Sequence, residues 1–88
     1  MHWVKSVRHV KDYVLEITFE NDAVKKVDLA EHLKGKVFEP LKKIEYFKSV
    51  SVNHDIDTIA WPNGADLCPD FLYEIGESIT NHISFKKN

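Results

Sequence analysis

Over residues 13–20 apolar and polar side chains alternate, with Tyr13, Leu15, Ile17 and Phe19 on one side and Glu16, Thr18 and Glu20 on the other. A period of two, rich in β-branched and aromatic residues, is the pattern of a strand with one face buried. Glu20-Asn21-Asp22 then brings turn chemistry, because Asn and Asp accept left-handed backbone angles and bond their own main chain. The alternation resumes over residues 23–29 with Val27 and Leu29 inward, which predicts a hairpin. Residues 4–10 predict a further strand ahead of it, whose end is blurred by the Lys11-Asp12 pair before Tyr13.

Beyond the hairpin the period changes. Asp28-Leu29-Ala30-Glu31 has the spacing of a capping box and predicts a short turn of helix to Leu33, stopped by Gly35. Pro40 suits the first turn of a second helix, where a missing N–H costs nothing, and Leu41, Ile44 and Phe47 recur at helical spacing to about Lys48. Val50 and Val52 begin a fourth strand. Asn53-His54-Asp55-Ile56-Asp57 is a polar turn, and residues 58–61 form a fifth strand closed by Pro62-Asn63-Gly64. Pro69 opens a last helix with Leu72, Ile75 and Ile79 on one face; Gly76 is one candidate end, and continuation through Ile83 and Phe85 is the alternative. Lys86-Lys87-Asn88 reads as a frayed tail. The whole is an α+β fold in β-β-β-α-β-β-α order, a small antiparallel sheet of about five strands with short helices packed on it.

Length and charge narrow the function classes. With 88 residues the chain is expected to form one domain over 1–88, with a single core. Twelve basic residues against fourteen acidic ones give a net charge of −2, without the basic stripe of a dedicated nucleic-acid binder. One cysteine, Cys68, precludes an internal disulfide and fits a reducing cytosol. No apolar run reaches the roughly 20 residues of a membrane span, and the charged N-terminal stretch is unlike a secretory signal. A cytoplasmic location is the expectation.

The second half carries more than periodicity. Val27-Asp28-Leu29 is followed by Val37-Phe38-Glu39-Pro40-Leu41, then Tyr46-Phe47, then the run from Ile59 through Trp61-Pro62-Asn63-Gly64-Ala65-Asp66 to Leu67, then Leu72-Tyr73-Glu74. These segments, in this order, resemble the bacterial family catalogued as domain of unknown function 2442. The resembling core covers about residues 4–75 and leaves 76–88 as a C-terminal extension. The resemblance implies an α+β fold and no established activity. It also implies, by analogy with family members encoded beside a second small protein, one half of a two-gene pair of the toxin–antitoxin kind. The extension is too short for the helix-turn-helix that some members add. Two positions depart from the family pattern: Glu20-Asn21-Asp22 replaces the usual acidic residue and glycine of the hairpin turn, and Cys68 stands where an acidic or polar residue is common.

Candidate chemistry is sparse. Asp66 and Asp70 lie near the start of the last helix, where carboxylates offset exposed N–H groups; with His54 they could also do acid–base work. Cys68, beside the same helix start, is read as a small buried hydrophobe in preference to a nucleophile, for want of a base and an oxyanion site. The five histidines, His2, His9, His32, His54 and His82, show no metal-ligand spacing, and no phosphate loop is present, so neither metal nor cofactor is expected.

Trp61, Pro62, Asn63, Gly64 and Asp66 are the best place to look for a partner surface, because Trp offers a large rigid contact. The competing reading has Trp61 seal the core under a turn that needs Pro, Asn and Gly for backbone reasons. The leading expectation is therefore a non-enzymatic protein-binding module, the antitoxin-like or accessory partner of a small protein encoded nearby. The hairpin's edge strand is open to another chain, including a second copy. The alternative is a nucleic-acid adaptor using Arg8, Lys25, Lys26, Lys42 and Lys43, which requires those cations on one face. A small enzyme using Asp66, Asp70, His54 or Cys68 is the third.

Overall fold

The alternating segment becomes the middle of the main sheet because its two edges both find partners. In the computed structural model, which describes residues 1–79, strand β2 (Val14–Phe19) pairs antiparallel with β1 (Val4–Lys11) on one side and β3 (Val24–Asp28) on the other. Leu15, Ile17 and Phe19 are fully buried, as their period requires. A smaller antiparallel pair, β4 (Ser51–Asn53) and β5 (Thr58–Ala60), forms a separate two-stranded sheet. The two sheets meet where the Val4 amide donates to the Asp57 carbonyl at 2.9 Å. The fold is α+β, with the five expected strands divided between two sheets.

Each hairpin turn places one aspartate at positive φ: Asp12 at 43°, Asp22 at 70° and Asp57 at 55°. Aspartate tolerates this region because its short polar side chain bonds locally. The Asp22 turn therefore closes without a glycine.

The chain between the sheets departs from expectation. No helix forms over residues 28–33; Asp28 Oδ1 instead accepts from the Ala30 amide at 3.0 Å in an Asx turn. Gly35, at φ 95°, precedes a helical segment and does not end one. That segment is a 3-10 helix, Lys36–Lys42, with Pro40 inside it and not at its start. Pro40 has no N–H to give the Val37 carbonyl three residues back, and Asn63 Nδ2 donates to that carbonyl instead at 2.9 Å. Helix α1 (Ile44–Phe47) follows after Lys43, which is extended at φ −83° and ψ 123°.

Helix α2 (Pro69–Ile75) begins at Pro69 and ends at Gly76, and the chain then adds strand β6 (Glu77–Ser78) to the outer side of β3. The stop at Gly76 is the one the sequence offered; the alternative continuation through Ile83 and Phe85 falls outside the described residues, as does the tail. Gly76 is required by space: a Cβ there would lie 3.0 Å from the Leu72 carbonyl oxygen, Lys25 Cβ and Val27 Cγ2. Among the described residues thirteen buried apolar side chains form one cluster, with Leu41, Phe47 and Leu72 from the helical segments closing over the inner face of the main sheet.

Candidate functional site

Trp61 follows β5 and turns inward. It is 3% exposed, and its Nε1–H donates to the Phe47 carbonyl at 2.9 Å, with the two rings 5.8 Å apart. A buried indole needs such an acceptor, and the last residue of α1 supplies one. The partner-contact reading of Trp61 therefore gives way to the packing one, since its surface is already consumed by the core.

The turn after it is held from four directions. Trp61 N–H donates to the Ala65 carbonyl and Gly64 N–H to the Trp61 carbonyl, both at 2.9 Å. Asn63 Oδ1 accepts from the Ala65 amide at 3.1 Å, and Asn63 Nδ2 donates to the Val37 carbonyl at 2.9 Å. Gly64 sits at φ 89° with open space where a Cβ would be, so its requirement is conformational. Ala65 is buried, while Pro62, Asn63, Gly64 and Asp66 stay exposed on a tethered loop.

The Asn63 tether joins this loop to the 3-10 helix, whose three-residue period sorts its side chains into ridges. Phe38 and Leu41 pack into the core. Lys36, Glu39 and Lys42 form a polar ridge, marked by the Lys42–Glu39 ion pair at 3.1 Å. Val37 and Pro40 form a third, exposed ridge, with Val37 45% accessible, and the exposed Lys43 follows just past the helix end. Sequence reasoning, applied at a period of 3.6, did not pick out Val37 and Pro40; a period of three would have separated them from Phe38 and Leu41.

The candidate acid–base residues do not converge. Asp66 lies opposite Ala60 at one end of the β4–β5 hairpin, whereas His54 lies in the turn beyond Asn53 and Thr58 at the other. Asp70 is occupied elsewhere: its Oδ1 accepts from the His2 amide at 2.8 Å and lies 3.2 Å from His2 Nδ1. The His2 amide holds the Asp70 carboxyl below the usual aspartate range. Neither aspartate caps α2 through a side-chain bond. Cys68 is exposed, contrary to the expectation of burial, because it is the residue before α2 and its neighbour Pro69 fills the buried position.

The cations of the nucleic-acid reading are also dispersed. Arg8 pairs with Glu16 at 2.7 Å and Lys42 with Glu39. Lys25 turns under α2, where its amine donates to the Tyr73 carbonyl at 2.6 Å and lies 3.7 Å from that ring's centre. Lys26, the next residue of β3, necessarily faces the other side of the sheet. An open depression of about 330 Å³ there is bordered by Val14, Lys26, Asp28, His32 and Glu77, charges of both signs, and includes none of the candidate acid–base residues. Among the described residues no three His, Cys, Asp or Glu side chains group as metal ligands, and no helix is long and apolar enough to cross a membrane.

Residues 4–78 match the model of a family described as protein of unknown function (DUF2442). The chain belongs to this family. No curated protein and no solved structure gives a significant match. Within this DUF2442 member, three of the five segments that carry the likeness are bonded together: the Trp61 loop bonds Val37 at the start of the 3-10 helix and Phe47 at the end of α1. The most distinctive run of the sequence is thus a clasp between β5 and two short helical pieces, with its tip left outside.

Proposed function

We propose that this chain is a non-enzymatic protein-binding module of the cytoplasm, the accessory or antitoxin-like half of a pair with another small protein encoded nearby. The observation that supports it most is the tip Pro62-Asn63-Gly64: exposed, yet fixed by four hydrogen bonds and anchored beneath by Trp61. A loop ordered before binding loses little conformational entropy on association. The scattering of Asp66, Asp70, His54 and Cys68 favours this reading over an enzyme, and the splitting of Lys25 from Lys26 favours it over a nucleic-acid adaptor. Asp66, on the same loop, belongs to the proposed surface together with Pro62, Asn63 and Gly64.

Co-expression with the product of the neighbouring gene, followed by size-exclusion chromatography, tests the proposal. Co-elution at the summed mass is expected. Two separate peaks would overturn it.

A further inference from the structure

The surface of the proposed binding module has a chemical bias that the net charge conceals. Residues 34–48 hold five lysines and two glutamates, while the remainder of the chain holds seven basic and twelve acidic residues. Both glutamates of the basic stretch are taken, Glu39 by Lys42 at 3.1 Å and Glu45 by Lys48 at 3.7 Å. Lys34, Lys36 and Lys43 are exposed, and among the described residues no carboxylate lies within ion-pair distance of them. They bracket the exposed ridge of Val37 and Pro40, which Asn63 ties to Pro62. The result is a small apolar ledge with a cationic border on an otherwise acidic molecule.

We propose that this ledge docks an acidic segment of a partner protein, with an apolar side chain of that segment seated on Val37, Pro40 and Pro62 and its carboxylates on Lys36 and Lys43. The inference rests on the binding-module reading and specifies its partner's chemistry. An acidic ligand is selected because unpaired surface cations draw opposite charge and repel like charge, which directs orientation and partner choice. A peptide is favoured over nucleic acid because the ledge is apolar at its centre, with no exposed aromatic ring among Val37, Pro40 and Pro62 for bases to stack on. Asp66 is the opposing charge on the same loop.

Selection of random twelve-residue peptides displayed on phage against the full chain, followed by fluorescence anisotropy of the enriched peptides, tests this directly. Net-negative peptides with at least one large apolar residue are expected. Their affinity should fall about ten-fold in the Lys36→Glu/Lys43→Glu variant and about three-fold in Val37→Ser, and it should weaken as salt is raised. Both variants alter exposed positions, and an unchanged thermal unfolding curve confirms that they fold. Enrichment of neutral or basic peptides, no enrichment, or affinity indifferent to the charge reversal would each overturn the proposal. So would salt-sensitive binding of a labelled twelve-nucleotide single strand that the charge reversal abolishes while no peptide binds. If the complex with the neighbouring protein forms equally well with Lys36→Glu/Lys43→Glu, the module reading stands and the ledge falls. If wild type forms no complex while acidic peptides bind the ledge, the two-gene reading falls and the ledge stands.

Discussion

The imidazole of His2 lies flat on the ring of Tyr73, with centroids 3.6 Å apart and planes within 11°. Lys25 Nζ lies 3.7 Å from the centre of the same ring, so the phenol is covered on both faces, and Phe19 meets it edge-on at 4.9 Å. The segment before β1 is thereby clasped to α2, and Asp70 completes the clasp by accepting from the His2 amide.

That bond gives the clasp a pH dependence of defined sign. Asp70 titrates below its ordinary 3.8 when folded, chiefly because the His2 amide favours the carboxylate. A depressed folded value contributes stability above the unfolded value, and the contribution disappears as pH falls through the folded one. Urea titrations in a pH series are expected to show wild type losing stability from about 3.8 downward more steeply than Asp70→Asn. The two curves should converge where Asp70 is protonated. Parallel curves would remove Asp70 from the clasp.

Trp61 makes two separable contributions, apolar burial and an indole hydrogen bond. Trp61→Phe keeps most of the burial but leaves the Phe47 carbonyl without its donor, at a cost of about 1–3 kcal/mol. Trp61→Ala adds a cavity and should cost about 3–5 kcal/mol, enough to unfold much of a domain this small. Chemical denaturation of both variants gives the order; a Trp61→Phe variant as stable as wild type would mean that the hydrogen bond contributes nothing.

The strands were legible because their information is local. Leu15, Ile17, Phe19 and Val27 alternate in the sequence as they do in the core, and Asp22 and Asp57 mark turns by their tolerance of positive φ. Pro69 marks the start of α2 for an equally local reason, whereas Gly76 is one of two candidate ends in the sequence and the contacts that require it, with Lys25 and Val27, come from β3. Three further features were not legible. The capping-box spacing at Asp28 fits an Asx turn as well as a helix, because either conformation lets the carboxylate accept from an amide. The 3-10 segment hid its exposed ridge because Leu41, Ile44 and Phe47 satisfy both helical periods over so short a stretch. Asp70 reads as a carboxylate offsetting the N–H groups at the start of its own helix, whereas its partner, His2, stands 68 positions away. For the candidate surface, the composition and turn of Pro62-Asn63-Gly64 were evident, but its tether to Val37 spans 26 residues and leaves no trace in spacing.

Gly64 and Gly76 should fail differently when a methyl group is added. At Gly64 the space is open and φ is 89°, so Gly64→Ala costs about 1–2 kcal/mol of backbone strain and Gly64→Asn should cost less, because asparagine tolerates left-handed backbone better. At Gly76 φ is −73° and any residue could adopt it, but the added Cβ meets three atoms at 3.0 Å. Gly76→Ala is expected to cost about 1–3 kcal/mol by overpacking and to loosen the β3–β6 pairing. Amide exchange distinguishes them: the Ile79 amide, which donates to the Val24 carbonyl, should lose protection in Gly76→Ala and keep it in Gly64→Ala.

Asn63 holds the loop with both ends of one amide, and two substitutions separate those ends. Asn63→Asp retains an oxygen to accept from the Ala65 amide but loses the donor to Val37 and sets a carboxylate against a carbonyl. Asn63→Ala loses both bonds. Each exposed bond is worth about 0.5–1.5 kcal/mol, so both variants should remain folded in denaturant titrations. The Ala65 amide is expected to stay protected from exchange in Asn63→Asp and to exchange faster in Asn63→Ala. The Phe38 amide, which reports on the 3-10 helix through its bond to the Gly35 carbonyl, should exchange faster in both. An unchanged Phe38 amide in either variant would show that the loop and the 3-10 helix are not mechanically joined, and the shared surface built on that joint would have to be given up.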